Sequence, residues 1–444
     1  MKSKAIVINA FSVGFALVAL LAIAASVGLA EDEIDRPPIA YSRSTPSNDV
    51  SKLISRLESG ELQLKHEEDV GYLRGLLKAL DVPVESQALV FSKTSLQRDR
   101  ISPRTPRAIY FNDDVYVGYC QSGDVLEVSV ADPQLGAVFY TVDQKKFDRP
   151  HLLRQTDSCL LCHSSSRTDG VPGHLVRSVF VDSSGQPIFS AGSYSVDHTT
   201  PFEQRWGGWY VTGKHGAQSH LGNLVIRGRD VPQPVENAQG QNVIELKDRL
   251  TVEKYLTPHS DLVALLVLEH QVLVHNRITK ANYATRQALH YDAEMRKVLE
   301  APAGQRLDST NSRIRSAGDD LVKALLLVDE AKLTAPISGT SGFAEKFSRQ
   351  GPHDRQGRSL RDFDLQRRLF KYPCSYLIYS KSFDELPPEM REYVWKRLWD
   401  LLTQAEAVEG FTTHLSREDR QSIVEILRGT RTDLPAYWAN AEQR

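Results

Sequence analysis

The sequence predicts an α+β fold, in which a region rich in β-strands is followed by a mainly α-helical C-terminal region. Two observations carry this prediction. From residue 107 the apolar residues recur with a period of two, which is typical of half-buried strands. After about residue 240 they recur at helical spacing almost throughout. The 444 residues show no internal repeat.

Short β-rich runs separated by turn residues predict a β-meander in the first half of the chain. The runs are residues 109–111, 115–119, 125–130 and 137–142. A second set of strands is predicted at 175–181 and 188–190. Residues 209–212 and 224–226 are predicted to belong to the same set. Helices are predicted within 50–80 and at 261–291, 313–333, 388–402 and 416–427. Ser416, with Asp419 at the third position after it, resembles a capping box at the start of the last helix.

The N-terminal segment 1–30 has the pattern of an export signal. Lys2 and Lys4 precede an apolar run from 5 to 30, which ends in the small-x-small sequence Gly28-Leu29-Ala30. The run is long enough to span a bilayer, so a cleaved signal peptide and an uncleaved membrane anchor both remain open. Either one predicts an exported protein of the periplasm or cell envelope.

Composition divides the rest of the chain and excludes one class of partner. We expect a linker at 31–50, an α+β region at 51–235 and a mainly helical region packing on it at 236–444. Lysine and arginine number 54 against 56 acidic residues, and removal of the leader with Lys2 and Lys4 leaves a net charge of −4. A chain with no excess of positive charge lacks the field that holds nucleic acid, so we expect no nucleic-acid partner.

The sequence Cys159-Leu160-Leu161-Cys162-His163 is C-x-x-C-H, the attachment signature of c-type haem. Two thiols at this spacing reach the same edge of a porphyrin and form thioethers with its vinyl groups. The histidine that follows is then held beneath the ring as an iron ligand. One motif predicts one covalent haem c, and the chemistry needs the oxidising compartment that the leader indicates.

Two other interpretations of the motif remain open. A zinc site needs four ligands, and the next cysteine after the motif, Cys374, lies in the other half of the chain. A thioredoxin-like redox pair would follow a hydrophobic strand and open a long helix, whereas both flanks here are polar. Both therefore fit less well than haem attachment.

The sixth iron ligand is not determined by the sequence. The nearest methionine after the motif, Met295, lies far beyond His163 in a polar stretch, so we expect no methionine ligand. Histidines of the predicted long helix, His270 and His275, are candidate distal ligands, although a hydrogen-bonded core histidine is the more ordinary role for each. They lie about 140° apart around an ideal helix and cannot both face one iron. His220 and His174 are alternatives in loops.

Two further pairs of residues have open roles. Arg205 and Trp206 could pair with a haem propionate and wall a haem edge, or form an ordinary aromatic corner of a sheet. Cys120 and Cys374 could form a disulfide between the two regions or remain as buried thiols.

Several stretches of the chain, taken together with the motif, resemble a family of bacterial, exported cytochrome c domain-containing proteins. The stretches are residues 106–114, 205–213, 220–223, 268–276 and 370–376. The resemblance implies haem binding and electron transfer, with Cys159, Cys162 and His163 carrying the haem. It implies no substrate and no distal ligand.

The leading functional hypothesis is an exported monohaem cytochrome that passes single electrons between other redox proteins of the cell envelope. It is an electron carrier rather than a catalyst. A haem enzyme or gas-binding sensor with an open distal site is the alternative, because a mere carrier needs far less protein. A third hypothesis is an envelope protein in which the C-terminal helices dock a partner and the motif is dispensable.

Overall fold

The computed structural model describes residues 34–299 and 306–439 and confirms the α+β fold. The predicted leader at 1–30 lies outside these residues. Among the helices of the described ranges, none combines the length and apolar character needed to cross a bilayer.

The first half of the chain forms one antiparallel sheet of six strands in sequence order. The predicted meander is confirmed, and it gains a strand at either edge. The strands are β1 (Ala88–Val90), β2 (Arg107–Phe111), β3 (Val115–Tyr119), β4 (Val125–Asp132), β5 (Gly136–Asp143) and β6 (Leu152–Gln155).

The strand register gives the sheet two very different faces. On the inner face Val117 lies between Tyr110 and Val128. These residues share an apolar cluster with helices α1 (Asp49–Glu58) and α2 (Leu73–Ala79). The outer face presents the intervening residues, and along β4 these are half-buried while their neighbours are buried. The outer face is therefore the more accessible side of the sheet.

The segment predicted as a linker at 31–50 is part of the core over its described residues, so that prediction is wrong. Ile34, Ile39 and Tyr41 are buried, and the Tyr41 hydroxyl donates to the carbonyl oxygen of Ala137 at 2.8 Å. The segment has the polar, proline-rich composition of a linker, and three apolar side chains are enough to anchor it.

The second set of strands forms differently from the prediction. Strand β7 (Arg177–Val179) pairs with β8 (Ser193–Ser195), whereas Phe189–Ala191 is a 3₁₀ turn. Residues 209–212 and 224–226 contribute only isolated bridges to the structure, among them Val90 with Trp209. Runs this short are decided by pairing partners rather than by their own period.

Over the described residues the chain is mainly helical from residue 262 onward, apart from a largely irregular stretch between 326 and 375. The prediction of helical structure from about residue 240 is wrong for residues 240–261, where the only helical elements are short 3₁₀ turns. Helix α4 (Leu262–Val298) spans 37 residues, and the Asp261 carboxylate caps it by accepting from the amides of Val263 and Ala264. The predicted helix at 313–333 ends earlier than expected. The α-helices beyond α4 are α5 (Asp308–Leu325), α6 (Phe343–Ser348), α7 (Lys381–Asp384), α8 (Pro388–Thr403) and α9 (Arg417–Thr430). Ser416 and Asp419 form the predicted capping box.

Helix α4 joins the two halves of the molecule. Its apolar side chains share one large cluster with α5, α8 and α9 and with Phe111 and Tyr116 on the outer face of the sheet. The Gln271 amide donates to the Tyr116 hydroxyl at 2.8 Å across this contact. Helix α4 therefore covers one end of the outer face and leaves the other end to the segment that contains the C-x-x-C-H motif.

Candidate haem-attachment site

The C-x-x-C-H motif forms a single helical turn that follows strand β6. Helix α3 (Leu160–His163) begins behind Cys159, and the His163 amide donates to the Cys159 carbonyl oxygen at 3.0 Å. The side chain of Cys162 is exposed and that of Cys159 is partly buried. A strand does precede the motif, contrary to the prediction of two polar flanks, but the short helix is not the long helix of a thioredoxin-like site.

His163 is held by a clamp from Gly173, which lies farther along the chain. The Gly173 amide donates to the His163 carbonyl oxygen at 2.8 Å. The His163 ring donates from Nδ1 to the Gly173 carbonyl oxygen at 2.9 Å. The ring also packs on Phe139 of the sheet's outer face, with centroids 4.9 Å apart. Backbone and ring are thus both fixed.

The clamp sets the tautomer of His163. A carbonyl oxygen only accepts, so Nδ1 carries the proton and Nε2 carries the lone pair. Burial lowers the pKa of His163, which keeps the ring neutral. A neutral imidazole whose Nδ1–H is engaged by a backbone carbonyl is the arrangement that metal-ligating histidines use.

Helix α4 holds Gly173 in place through Asn276. The Asn276 side chain accepts from the His174 amide and donates to the His174 carbonyl oxygen, both at 2.9 Å. A Cβ atom at position 173 would lie 2.4 Å from the Asn276 oxygen, so the position requires glycine. The sequence reasoning missed Gly173 and Phe139, because nothing local marks a residue that acts through its backbone or through a sheet contact.

The outer face of the sheet forms a partly exposed floor beside the motif, which we call the motif groove. Strand pairing aligns its residues in two rows, Ile109-Gly118-Glu127-Thr141 and Ser129-Phe139-Gln155. Helix α3 lies over one side of this floor, since His163 rests on Phe139. On the other side, Val176 and Val196 of the β7–β8 hairpin share an apolar cluster with Val90 of β1.

An ion pair lies on the floor of the motif groove. Arg107 donates from Nη2 to a Glu127 carboxylate oxygen at 2.8 Å, and the two side chains are 21% and 15% exposed. Glu127 lies on the same face of β4 as Ser129, whose strand partner Phe139 contacts the His163 ring, so the pair lies close to the motif. The sequence reasoning did not single out either residue.

His174 and His275 form a buried pair behind His163. Their ring centroids lie 5.9 Å apart, and the His174 ring packs on Tyr116 at 4.2 Å. Burial lowers the pKa of His275 to about 4 and lowers that of His174, so both rings are neutral. Nε2 of His174 and Nε2 of His275 are buried without a hydrogen-bond partner, so both histidines remain candidate distal ligands.

His270 belongs to a different, fully buried cluster, so the prediction of a distal ligand is wrong for it. Its Nδ1 lies 3.0 Å from Nδ1 of His198, and its Nε2 lies 2.8 Å from the Ser375 hydroxyl. Both ring nitrogens are therefore occupied. The predicted angular separation of His270 and His275 around the helix is consistent with their different neighbours, because His275 contacts Tyr116 instead.

Arg205 and Trp206 lie in the same buried cluster, and the prediction of a haem wall is wrong for them. Arg205 donates to a Glu269 carboxylate oxygen at 2.7 Å and to the carbonyl oxygens of Thr200 and His198, so its guanidinium has no free edge for a propionate. Trp206 is fully buried. Burial raises the pKa of Glu269 to about 7, against the opposing effect of Arg205. A cavity of about 10 Å³, enough for one water, borders Arg205 and His198.

His220 likewise has its own neighbours and does not act as the predicted ligand. Its Nδ1 accepts from the Gly222 amide at 3.0 Å, and its ring packs on Trp206 and His215. Burial lowers the pKa of His220 to about 3. It is a structural histidine that closes a loop.

Cys120 and Cys374 are free thiols, and both are buried. The disulfide alternative is thus absent from the structure, and the buried-thiol alternative describes it. Burial raises the pKa of each thiol to about 12, so both are protonated.

The residues at the motif fit a covalently attached haem. Cys159 and Cys162 lie on one turn beside a partly exposed groove, and His163 presents a neutral imidazole with its Nδ1 engaged. Over the described part of the chain, no group of three or more His, Cys, Asp or Glu side chains is arranged to hold a bare metal ion. This arrangement leaves the zinc interpretation without further ligands from those residues.

The fold and the site define an α+β protein with a C-x-x-C-H motif at the accessible face of its sheet. Comparison with protein-family models, with curated proteins and with solved structures finds no match to this chain.

Proposed function

We propose that the chain is an exported monohaem c-type cytochrome that transfers single electrons. The observation that carries the proposal is the clamp of His163 by Gly173 beside one exposed and one partly buried thiol on one helical turn. A C-x-x-C-H sequence alone occurs by chance, whereas a histidine whose tautomer is preset for a metal adds an independent requirement.

Each residue of the motif has a separate role in this proposal. Cys159 and Cys162 bind the haem edge through thioethers, and His163 offers Nε2 to the iron. The bound haem supplies one-electron redox chemistry. Phe139 supports the His163 ring, and Gly173 keeps the proton on Nδ1. The haem binding and electron transfer that the family resemblance implies belong to the same proposal. So do the redox partners in the periplasm or cell envelope and the anchoring through residues 5–30, which the leader predicts.

The attachment step is tested by removing the thiols. We expect the double variant Cys159→Ala, Cys162→Ala to lose covalently bound haem, measured by haem-dependent peroxidase staining of a denaturing gel. The proteins are produced with a haem-attachment system. Cys374→Ala is the matched control and keeps its haem, because that thiol lies in the helical half. Covalent haem on the double variant would contradict the proposal.

The alternative, a haem enzyme or gas-binding sensor with an open distal site, is favoured by one observation. Two of the predicted ligands already use ring nitrogens within the protein, since His220 accepts from the Gly222 amide and His270 bonds to the Ser375 hydroxyl. Carbon monoxide separates the two functions. A reduced haem that binds carbon monoxide supports the sensor or enzyme, and a six-coordinate haem that does not bind it supports the carrier.

A further inference from the structure

We infer that the haem lies against the motif groove and that the charges of Arg107 and Glu127 on its floor shift the reduction potential of the iron in opposite directions. The inference rests on the proposed function, since it assumes that haem attaches at Cys159 and Cys162. It adds two positioning residues from strands β2 and β4, which precede the motif in the chain.

The sheet surface beside the motif is more accessible than the rest of the sheet. The inner face of the sheet is sealed by α1 and α2, and one end of the outer face is sealed by α4. The motif groove, in contrast, contains half-buried residues of the sheet, among them Ile109, Glu127 and Ser129. A planar, largely apolar group tethered at α3 has this floor as its neighbouring surface.

The Arg107 side chain lies flat on the floor of the motif groove, over Gly118. A Cβ atom at position 118 would lie 2.5 Å from the Arg107 Nη2 atom, so the guanidinium lies directly over Gly118. Glycine inside a strand weakens the strand and typically marks such a close approach. The glycine thus makes room for the arginine on the sheet surface, beside the motif.

The Glu127 carboxylate is held in place by side chains other than Arg107. Its second carboxylate oxygen lies 3.3 Å from the Gln97 amide nitrogen and 3.5 Å from the Ser95 hydroxyl. The carboxylate is therefore fixed from the loop side, while Arg107 fixes it from the strand side. Two opposite charges held at defined positions next to a redox centre bias its two oxidation states in opposite directions.

The sign of each effect follows from the charge. Ferric haem carries one more positive charge than ferrous haem, so a nearby carboxylate favours the oxidised state and a guanidinium favours the reduced state. Removal of Glu127 alone should raise the potential, and removal of Arg107 alone should lower it. A unit charge within about 10 Å, at an effective dielectric constant of about 20, changes the equilibrium constant roughly tenfold.

The experiment is a redox titration of the full-length, haem-loaded protein, followed by its visible absorption. We expect Glu127→Gln to raise the equilibrium constant of reduction about tenfold, which is about 59 mV for one electron. Arg107→Gln should lower it by a similar factor, and the double variant should return close to the unaltered protein. The double variant and Glu127→Gln still decide the matter if Arg107→Gln fails to fold.

The control is an ion pair of the same kind far along the chain. Arg368 and Asp419 lie 2.6 Å apart and are each 18% exposed, which matches the burial of Arg107 and Glu127. Arg368→Gln should leave the potential unchanged. Shifts of the same sign in both motif-groove variants, or shifts no larger than that of the control, would overturn the inference. Absence of covalent haem from the unaltered protein would instead overturn the proposed function.

Discussion

The motif groove and the buried cluster around Glu269 use similar residues in opposite ways. Each contains an arginine–glutamate pair and nearby histidines, but Arg107 and Glu127 are partly exposed, whereas Arg205 and Glu269 are 4% and 0% exposed. Nδ1 of His163 bonds to the Gly173 carbonyl oxygen, whereas His270 uses both ring nitrogens for hydrogen bonds within the protein. Residues of the same type therefore differ in their accessibility and in how much of their hydrogen-bonding capacity the protein already uses.

Removal of Glu269 tests whether the buried cluster stabilises the fold, and it has the largest expected effect. In Glu269→Ala the buried Arg205 loses its partner, and we expect a loss of about 3–5 kcal/mol in the free energy of unfolding. Urea unfolding followed by circular dichroism measures it. The covalent haem content should not change. A loss below about 1 kcal/mol would show that the Arg205–Glu269 pair does not stabilise the folded protein.

His270→Ala tests the same cluster from the side of the predicted ligand. We expect a loss of about 3 kcal/mol, because His198 and Ser375 lose a partner and a cavity forms. The electron paramagnetic resonance spectrum of the ferric haem should be unaltered. A change from low spin to high spin would instead restore His270 as an iron ligand.

The two variable positions of the motif, Leu160 and Leu161, provide a buried and an exposed leucine within one helical turn. Leu160 is 5% exposed and belongs to the apolar cluster that also contains Phe139, whereas Leu161 is 64% exposed. Leu160→Ala should cost about 3 kcal/mol of unfolding free energy, and Leu161→Ala about 0.5 kcal/mol or less. Equal losses, measured by urea unfolding, would contradict the orientation of α3.

Glu330, which borders the small cavity near Arg205, gives an effect on stability that depends on pH. Burial raises its pKa from 4.5 to about 7, so the folded state binds this proton more tightly than the unfolded state. Its contribution to stability is therefore full below pH 4.5 and is lost as the pH rises to about 7. Relative to the unaltered protein, Glu330→Gln should gain about 1.4 kcal/mol per pH unit across that window.

Unfolding curves at several pH values measure this difference. A difference for Glu330→Gln that stays flat between pH 5 and pH 7 would contradict the burial of this carboxyl.

The fold was predictable where local patterns decide it. The period-two runs of β2 to β5 and the capping box at Ser416 both form as expected. The edge strands β1 and β6 were not predictable, since runs this short depend on a neighbouring strand. The burial of residues 34–41 depends on a sheet formed much later in the chain, which no local pattern records.

Only the C-x-x-C-H motif of the candidate site could be found from the sequence. Cys159, Cys162 and His163 are marked by their spacing, but the clamp by Gly173 and the position of Asn276 depend on how α4 crosses the sheet. Arg205 and His270 carry groups that suit a haem, and the sequence alone could not show that Glu269 and Ser375 already occupy them.

The most direct test of the central claim is the alkaline pyridine haemochrome spectrum of the purified protein, produced with a haem-attachment system and extracted with acidified acetone. We expect one haem per chain that resists extraction and has the spectrum of a haem with both vinyl groups converted to thioethers. A colourless protein, or haem that leaves entirely with the acetone, would contradict it.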